Sequence, residues 1–155
     1  MKIAIASDHG GFAFKTLAID YLRGLGYQVY DCGCKNGESC DYPDFAKRAL
    51  KRVCNGKADR AILICTNGIG MCILANKYPH IYAALVYNQK TAKMTRQHHD
   101  SNVLCLGAGM FSAKRLLKFI DIWLTTEFSQ GKRHIRRLKK IEKQDNLLRD
   151  FALFC

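Results

Sequence analysis

No stretch of this sequence is apolar for long enough to cross a membrane. Lys2 leads straight into Ile3-Ala4-Ile5-Ala6, too short for the core of an export signal, so the cytoplasm is the expected compartment. The eight cysteines, Cys32, Cys34, Cys40, Cys54, Cys65, Cys72, Cys105 and Cys155, include no Cys-x-x-Cys pair. Cys32, Cys34 and Cys40 lie close together but lack metal-site spacing, so no metal is expected. In a reducing compartment these thiols stay free, and most serve as packing residues. Gly-x-Gly-x-x-Gly is absent after the first strand, and Gly-x-x-x-x-Gly-Lys-Ser/Thr is absent everywhere, which removes the usual nucleotide fingerprints. No internal repeat, linker or low-complexity segment divides the chain.

Acidic side chains are the scarce charge, 13 against 25 lysines and arginines, for a net charge of +12. Such an excess raises nucleic acid or an anionic substrate as partner. No aromatic-interleaved basic segment or zinc-finger spacing accompanies it, so nucleic acid is not expected. The excess crowds the last quarter: Lys132, Arg133, Arg136, Arg137, Lys139, Lys140, Lys143 and Arg149. Most of these read as a solvated helix face, with a few left to bind phosphate. At 155 residues one domain over 1–155 is expected, with 132–155 as a basic C-terminal helix.

Apolar patterning predicts five strands alternating with helices: Lys2 to Ala6, Tyr27 to Tyr30, Ala61 to Ile64, Ile81 to Val86 and Asn102 to Leu106. The fourth is an almost unbroken apolar run suited to burial on both faces. Between them, Phe14, Leu17, Ala18, Tyr21, Leu22 and Leu25 keep helical spacing, and Gly24 and Gly26 stop that helix. Pro43 suits the start of the next, which runs to about Val53. Further helices are predicted from about Ile69 to Lys77 and Gln89 to Gln97, and one capped by Ser112 carries Leu116, Ile120 and Trp123 inward. The last starts near His134, with Leu138, Ile141 and Leu148 as its apolar stripe. The fold class is therefore α/β, a three-layer doubly wound (Rossmann-like) five-stranded parallel sheet with helices on both faces. In the order 2-1-3-4-5 its switch point lies between the first and third strands, where ligands bind beyond the strand ends. Asp8-His9-Gly10-Gly11 and Cys65-Thr66-Asn67-Gly68 both fall there.

The second of these clusters organises the rest. A buried strand ends on the thiol of Cys65 and runs through Gly68 into a helix. Gly68 and Gly70 leave backbone N–H groups open to a ligand, and the helix N-terminus adds further donors. The pattern places a nucleophile or base beside a cradle for a negatively charged oxygen. Cys65 as a buried strand-end residue, and His9 and His98 as capping or core groups, are the plainer readings.

Taken together, Ser7-Asp8-His9-Gly10-Gly11, Asp41-Tyr42-Pro43, Cys65 to Gly70 with Ala75-Asn76-Lys77, Arg96-Gln97-His98 with Asp100 and Asn102, and Gly131 to Arg137 resemble ribose-5-phosphate isomerase type B and the related galactose-6-phosphate isomerase subunits. The resemblance covers almost the whole chain. It implies an aldose–ketose isomerase of phosphorylated sugars that works through an enediolate without metal or cofactor. By that resemblance Cys65 is the proton-transfer base, and N–H groups of Asn67, Gly68, Ile69, Gly70 and Met71 hold the enediolate oxygen. His98 opens the furanose ring, Asp8 and Tyr42 contact the sugar, and His9, Arg133 and Arg137, with His134 nearby, take the phosphate. The implied assembly is a homodimer at least, with Cys65 and His98 meeting across chains. Three positions depart from the family pattern. Cys65-Thr66-Asn67-Gly68 replaces Cys-Gly-Thr/Ser-Gly, so the Asn67 amide stands for a proton-shuttling hydroxyl and Thr66 is the substitute candidate. His99 stands where Asn is usual at the sugar, and Gly109 lacks an arginine. Ribose 5-phosphate and ribulose 5-phosphate are the expected pair. The alternatives are a hexose 6-phosphate of allose or galactose type, or a sugar-phosphate-binding protein with reduced or lost catalysis.

Overall fold

The computed structural model describes residues 1–152, with side chains to 144. Cys155 and the side chains of Leu148 and Arg149, named above, lie outside the described residues. The chain runs β1 (Lys2–Ser7), a 3-10 turn (His9–Gly11), α1 (Phe12–Gly24), β2 (Gln28–Asp31), α2 (Tyr42–Cys54) and β3 (Arg60–Cys65). It continues through α3 (Ile69–Ala75), β4 (Ala83–Leu85), α4 (Gln89–His99), β5 (Val103–Gly107), α5 (Ala113–Thr125) and α6 (Lys132–Ala152). The predicted elements are present, and all strand pairs are parallel.

Strand residues alternate in size as well as in direction. Ile3, Ile5, Ile62 and Ile64 face α1 and α5, while Ala4, Ala6 and Ala61 face α2 and α3. Small residues on the second face meet Ala46 and Ala49 of α2, so that helix lies close on the sheet. Lys15 on α1 is a buried cation, at 2% exposure. Its ammonium reaches both Asp31 carboxylate oxygens, at 2.9 and 2.7 Å, and the Cys34 carbonyl oxygen at 2.8 Å. A buried cation fully paired in this way fixes the loop after β2 against α1.

The strand order is β2-β1-β3-β5-β4, not 2-1-3-4-5. The first three places match the expectation, so the switch point between β1 and β3 stands. At the other end β5 pairs with β3 and β4 is the edge. Burial explains the exchange: every residue of β5 is buried, whereas the three of β4 are only half-buried. The apolar run from Ile81 to Val86 thus yields a short edge strand instead of a central one. Its outer edge is closed by a side chain. The Asn76 amide donates to the Ala83 carbonyl and accepts from the Ala83 N–H, both at 3.0 Å, as a neighbouring strand would. Asn102 does similar work at the start of β4, accepting from Tyr82 N–H at 2.9 Å and donating to the His80 carbonyl at 2.8 Å.

Candidate active site

Ser7 on β1 is in register with Ile64 on β3, so Asp8 and Cys65 leave the sheet side by side. Asp8 is buried and caps the following turn, its carboxylate accepting from Gly11 N–H at 3.1 Å. His9 is held by its Nδ1, which accepts from Cys40 N–H at 3.2 Å. Cys65 is nearly buried, at 6% exposure, and its sulfur accepts from Gly68 N–H at 3.1 Å. Negative charge developing on that sulfur therefore has a donor already in place. Gly68 adopts φ +80°, the left-handed conformation that turns the chain from strand to helix.

The cradle is narrower than the glycine pattern implies. Gly68 N–H is engaged by the thiol, and Ile69 N–H donates to Asn67 Oδ1 at 3.0 Å. Gly70 and Met71 remain, in the first turn of α3, where no intrahelical carbonyl faces their N–H groups. Tyr42 lies against Gly70: a Cβ there would fall 2.7 Å from the phenolic oxygen. The Thr66 side chain packs against Gly10 and Gly109. Its hydroxyl oxygen would be 2.2 Å from a Cβ on Gly10, and its methyl 3.1 Å from one on Gly109. Glycine at 109 therefore accommodates threonine at 66.

A second group gathers elsewhere. The His98 and His134 rings lie 4.3 Å apart and those of His98 and His99 6.1 Å apart. Arg133 Nε donates to His134 Nε2 at 3.0 Å, so the proton of that ring sits on Nδ1, which faces Ser129 Oγ at 2.8 Å. Both His134 nitrogens are thus engaged inside the chain. Removal from water, then the nearby His98, Arg133, Arg137 and His99, push the His134 pKa down. Burial, then His98 and Arg137, do the same to His99. Arg96, a buried cation, anchors this end of α4: it bonds the Ser101 carbonyl at 2.6 Å and Asp100 at 2.7 Å.

Topology keeps the two groups apart. In a parallel sheet Cys65 and Asp8 end their strands, whereas α4 starts at that edge after β4 and runs back. Its 11 residues carry His98 and His99 about 15 Å toward the opposite edge. There, the start of α6 supplies Arg133, His134 and Arg137. The sequence did not single out Lys15, Ser129 or Cys105. Lys15 was detectable, since it sits on the apolar stripe of α1 with Ala18 and Leu22. Cys105, fully buried behind the site, has its thiol pKa driven well up by burial. Among the described residues seven cysteines are free thiols, and no group of His, Cys, Asp or Glu is placed to hold a metal ion.

The family model described as Ribose/Galactose Isomerase matches residues 3–141. A putative sugar phosphate isomerase of Rickettsia bellii is 45% identical over 140 residues, 90% of this chain and 96% of that protein. Ribose-5-phosphate isomerase B of Clostridium thermocellum superposes with a TM-score of 0.93 at 42% identity, over 96% of this chain and 99% of that one. The Mycoplasma genitalium ribose-5-phosphate isomerase B, solved with bound ribulose-5-phosphate, superposes with a TM-score of 0.89 at 39% identity, over 94% and 96% of the two chains.

Proposed function

The chain belongs to the Ribose/Galactose Isomerase family and is a sugar-phosphate isomerase, and on that premise we propose that it interconverts ribose 5-phosphate and ribulose 5-phosphate. The observation that carries this reading is the Cys65 sulfur, 3.1 Å from Gly68 N–H and one turn before the free N–H groups of α3. In this mechanism the Cys65 thiolate takes the proton from C2 of the open-chain aldose. The enediolate oxygen is held by Gly70 and Met71 N–H, the hydroxyl proton passes from O2 to O1 across the cis-enediolate, and the proton on Cys65 returns to C1. Asn67 turns its carbonyl oxygen to Ile69 N–H, which leaves its NH2 as a donor toward the enediolate. It stabilises charge there but does not relay a proton. Asp8 and Tyr42 contact the sugar hydroxyls. His98 opens the ring, with His99 beside it at the sugar. His9, Arg133 and Arg137 take the phosphate, arginine binding its oxygens in pairs. His134 serves by orienting Arg133 and packing on His98. No metal or cofactor enters these steps.

The site is shared between two copies of the chain in this proposal. Opposite-edge placement of Cys65 and His98 supports it, because one chain cannot bring them to a single sugar. An apolar surface at the Cys65 edge supports it as well: Ile69 and Ile73, one helical turn apart on α3, are 50% and 60% exposed, with Tyr87 at 57%. A homodimer covering that surface would sit in the cytoplasm. Among the described residues no helix is long and apolar enough to cross a membrane.

The substrate assignment is tested by a panel of ribose 5-phosphate, allose 6-phosphate and galactose 6-phosphate, followed in both directions. Turnover is expected with the pentose, with kcat/KM at least about tenfold above either hexose. Preference for a hexose overturns the assignment, and thermal stabilisation by all three without turnover leaves a binding protein.

A further inference from the structure

Away from the sheet's switch point, a cleft of about 460 Å3 opens between the end of β2 and the outer side of α2. Lys35, Arg48, Lys51, Arg52 and Lys57 line it, with Asp31 as its sole acid. None of these residues belongs to the isomerase site. Asp31 is already neutralised, since Lys15 pairs with both its oxygens and Gly33 N–H donates to one at 2.9 Å. Among the described residues none of the five cations has a carboxylate within salt-bridge distance. Five unpaired positive charges around one concavity repel one another, and an anion between them removes that repulsion.

Two of the cations are held in place before any ligand arrives. The Arg52 guanidinium lies 4.4 Å from the centre of the Tyr30 ring, and that of Arg48 4.9 Å from the Phe45 ring. Stacking on those faces lowers the entropy lost when each fork binds an oxygen. It also covers one face of each ring. The end of α2 does not account for the charge. Its last carbonyls are already capped, by Asn55 N–H on Lys51, Gly56 N–H on Val53, and Lys57 and Ala58 N–H on Arg52. The residual helix dipole there is roughly half an elementary charge, against five full ones.

We propose that this cleft is a binding site for a small anion carrying two or more linked phosphates. Arg48 and Asn55 are about 10 Å apart along the helix, with Lys35 supplied by the loop after β2. A single phosphate reaches one end of that line, whereas a phosphate chain spans it. A polyphosphate and the phosphate tail of a nucleoside triphosphate offer the same chemistry.

Calorimetric titration at about 0.15 M salt tests the site. The probes are inorganic tripolyphosphate and, separately, ATP, against wild type and two variants of equal charge loss. One variant is Arg48→Gln/Lys51→Gln/Arg52→Gln, in the cleft. The other is Lys139→Gln/Lys140→Gln/Lys143→Gln, on α6. Tripolyphosphate is expected to bind wild type and the α6 variant alike, and the cleft variant about tenfold or more weakly. Lys35→Gln/Lys57→Gln, in the loops after β2 and α2, is a second variant with the same expected direction. Equal affinity of ATP and tripolyphosphate assigns recognition to the phosphate chain, and tighter ATP binding adds the nucleoside. Isomerase activity is expected to be unchanged in both cleft variants. Equal weakening in the α6 variant, or no binding, overturns the proposal.

Discussion

Cys65→Ala is expected to lower kcat for ribose 5-phosphate isomerisation by about 10^3-fold or more while KM changes little. In the proposed mechanism the substitution removes the general base, a loss that costs about 10^2- to 10^4-fold. The same proposal assigns binding to other residues, at the phosphate and sugar ends, so ground-state affinity is expected to be retained. The folded chain survives. Only one buried atom is lost, and the Gly68 N–H that donated to it at 3.1 Å loses its acceptor. The cost is about 1–3 kcal/mol. Steady-state kinetics with circular dichroism on the same sample separates the effects. Turnover near wild type in a folded Cys65→Ala chain removes Cys65 as the base.

Gly68→Ala should cause the largest loss of stability among single substitutions at the site. Its φ of +80° is strained for any residue with a Cβ, at roughly 1–2 kcal/mol. The added atom would also fall 2.6 Å from Leu85 Cδ1, 2.9 Å from the Leu106 carbonyl carbon and 3.1 Å from Gly107 nitrogen. The leucine side chain can shift. The β5 backbone cannot, since it is paired with β3 and β4 on both sides. Strain and clash together amount to about 3 kcal/mol or more, a fall in Tm of roughly 6–12 °C. Gly37→Ala, with nothing within 4 Å of the added carbon, is the matched control and should leave Tm nearly unchanged. Calorimetric scans check both, and equal Tm values for the two variants would show that the turn tolerates a side chain.

The crevice was legible because its determinants are local. A strand that ends on Cys65 before a glycine turn, and one that ends on Asp8 before Gly10 and Gly11, each announce a loop at a strand's carboxyl end. The parallel topology then puts the two side by side. The order of the last two strands was not legible, because it depends on competition for the centre. The run from Ile81 to Val86 is apolar enough for either place, but only β5 is buried along its whole length. The engagement of His134 also escaped the sequence, since Arg133 and Ser129 compete for its nitrogens through a three-dimensional turn. The packing of Thr66 was settled by glycines 56 and 43 residues away, Gly10 and Gly109, which no local pattern joins to it.

Co-expression of Cys65→Ala chains with His98→Gln chains tests most directly whether the two separated groups form one catalytic centre. Each variant alone lacks one half of every site. In a mixed dimer one site inherits both lesions and the other inherits neither. Random pairing makes half of the dimers mixed, so about a quarter of wild-type activity per chain is expected. A mixture as inactive as either variant alone would contradict a site built from Cys65 of one chain and His98 of the other.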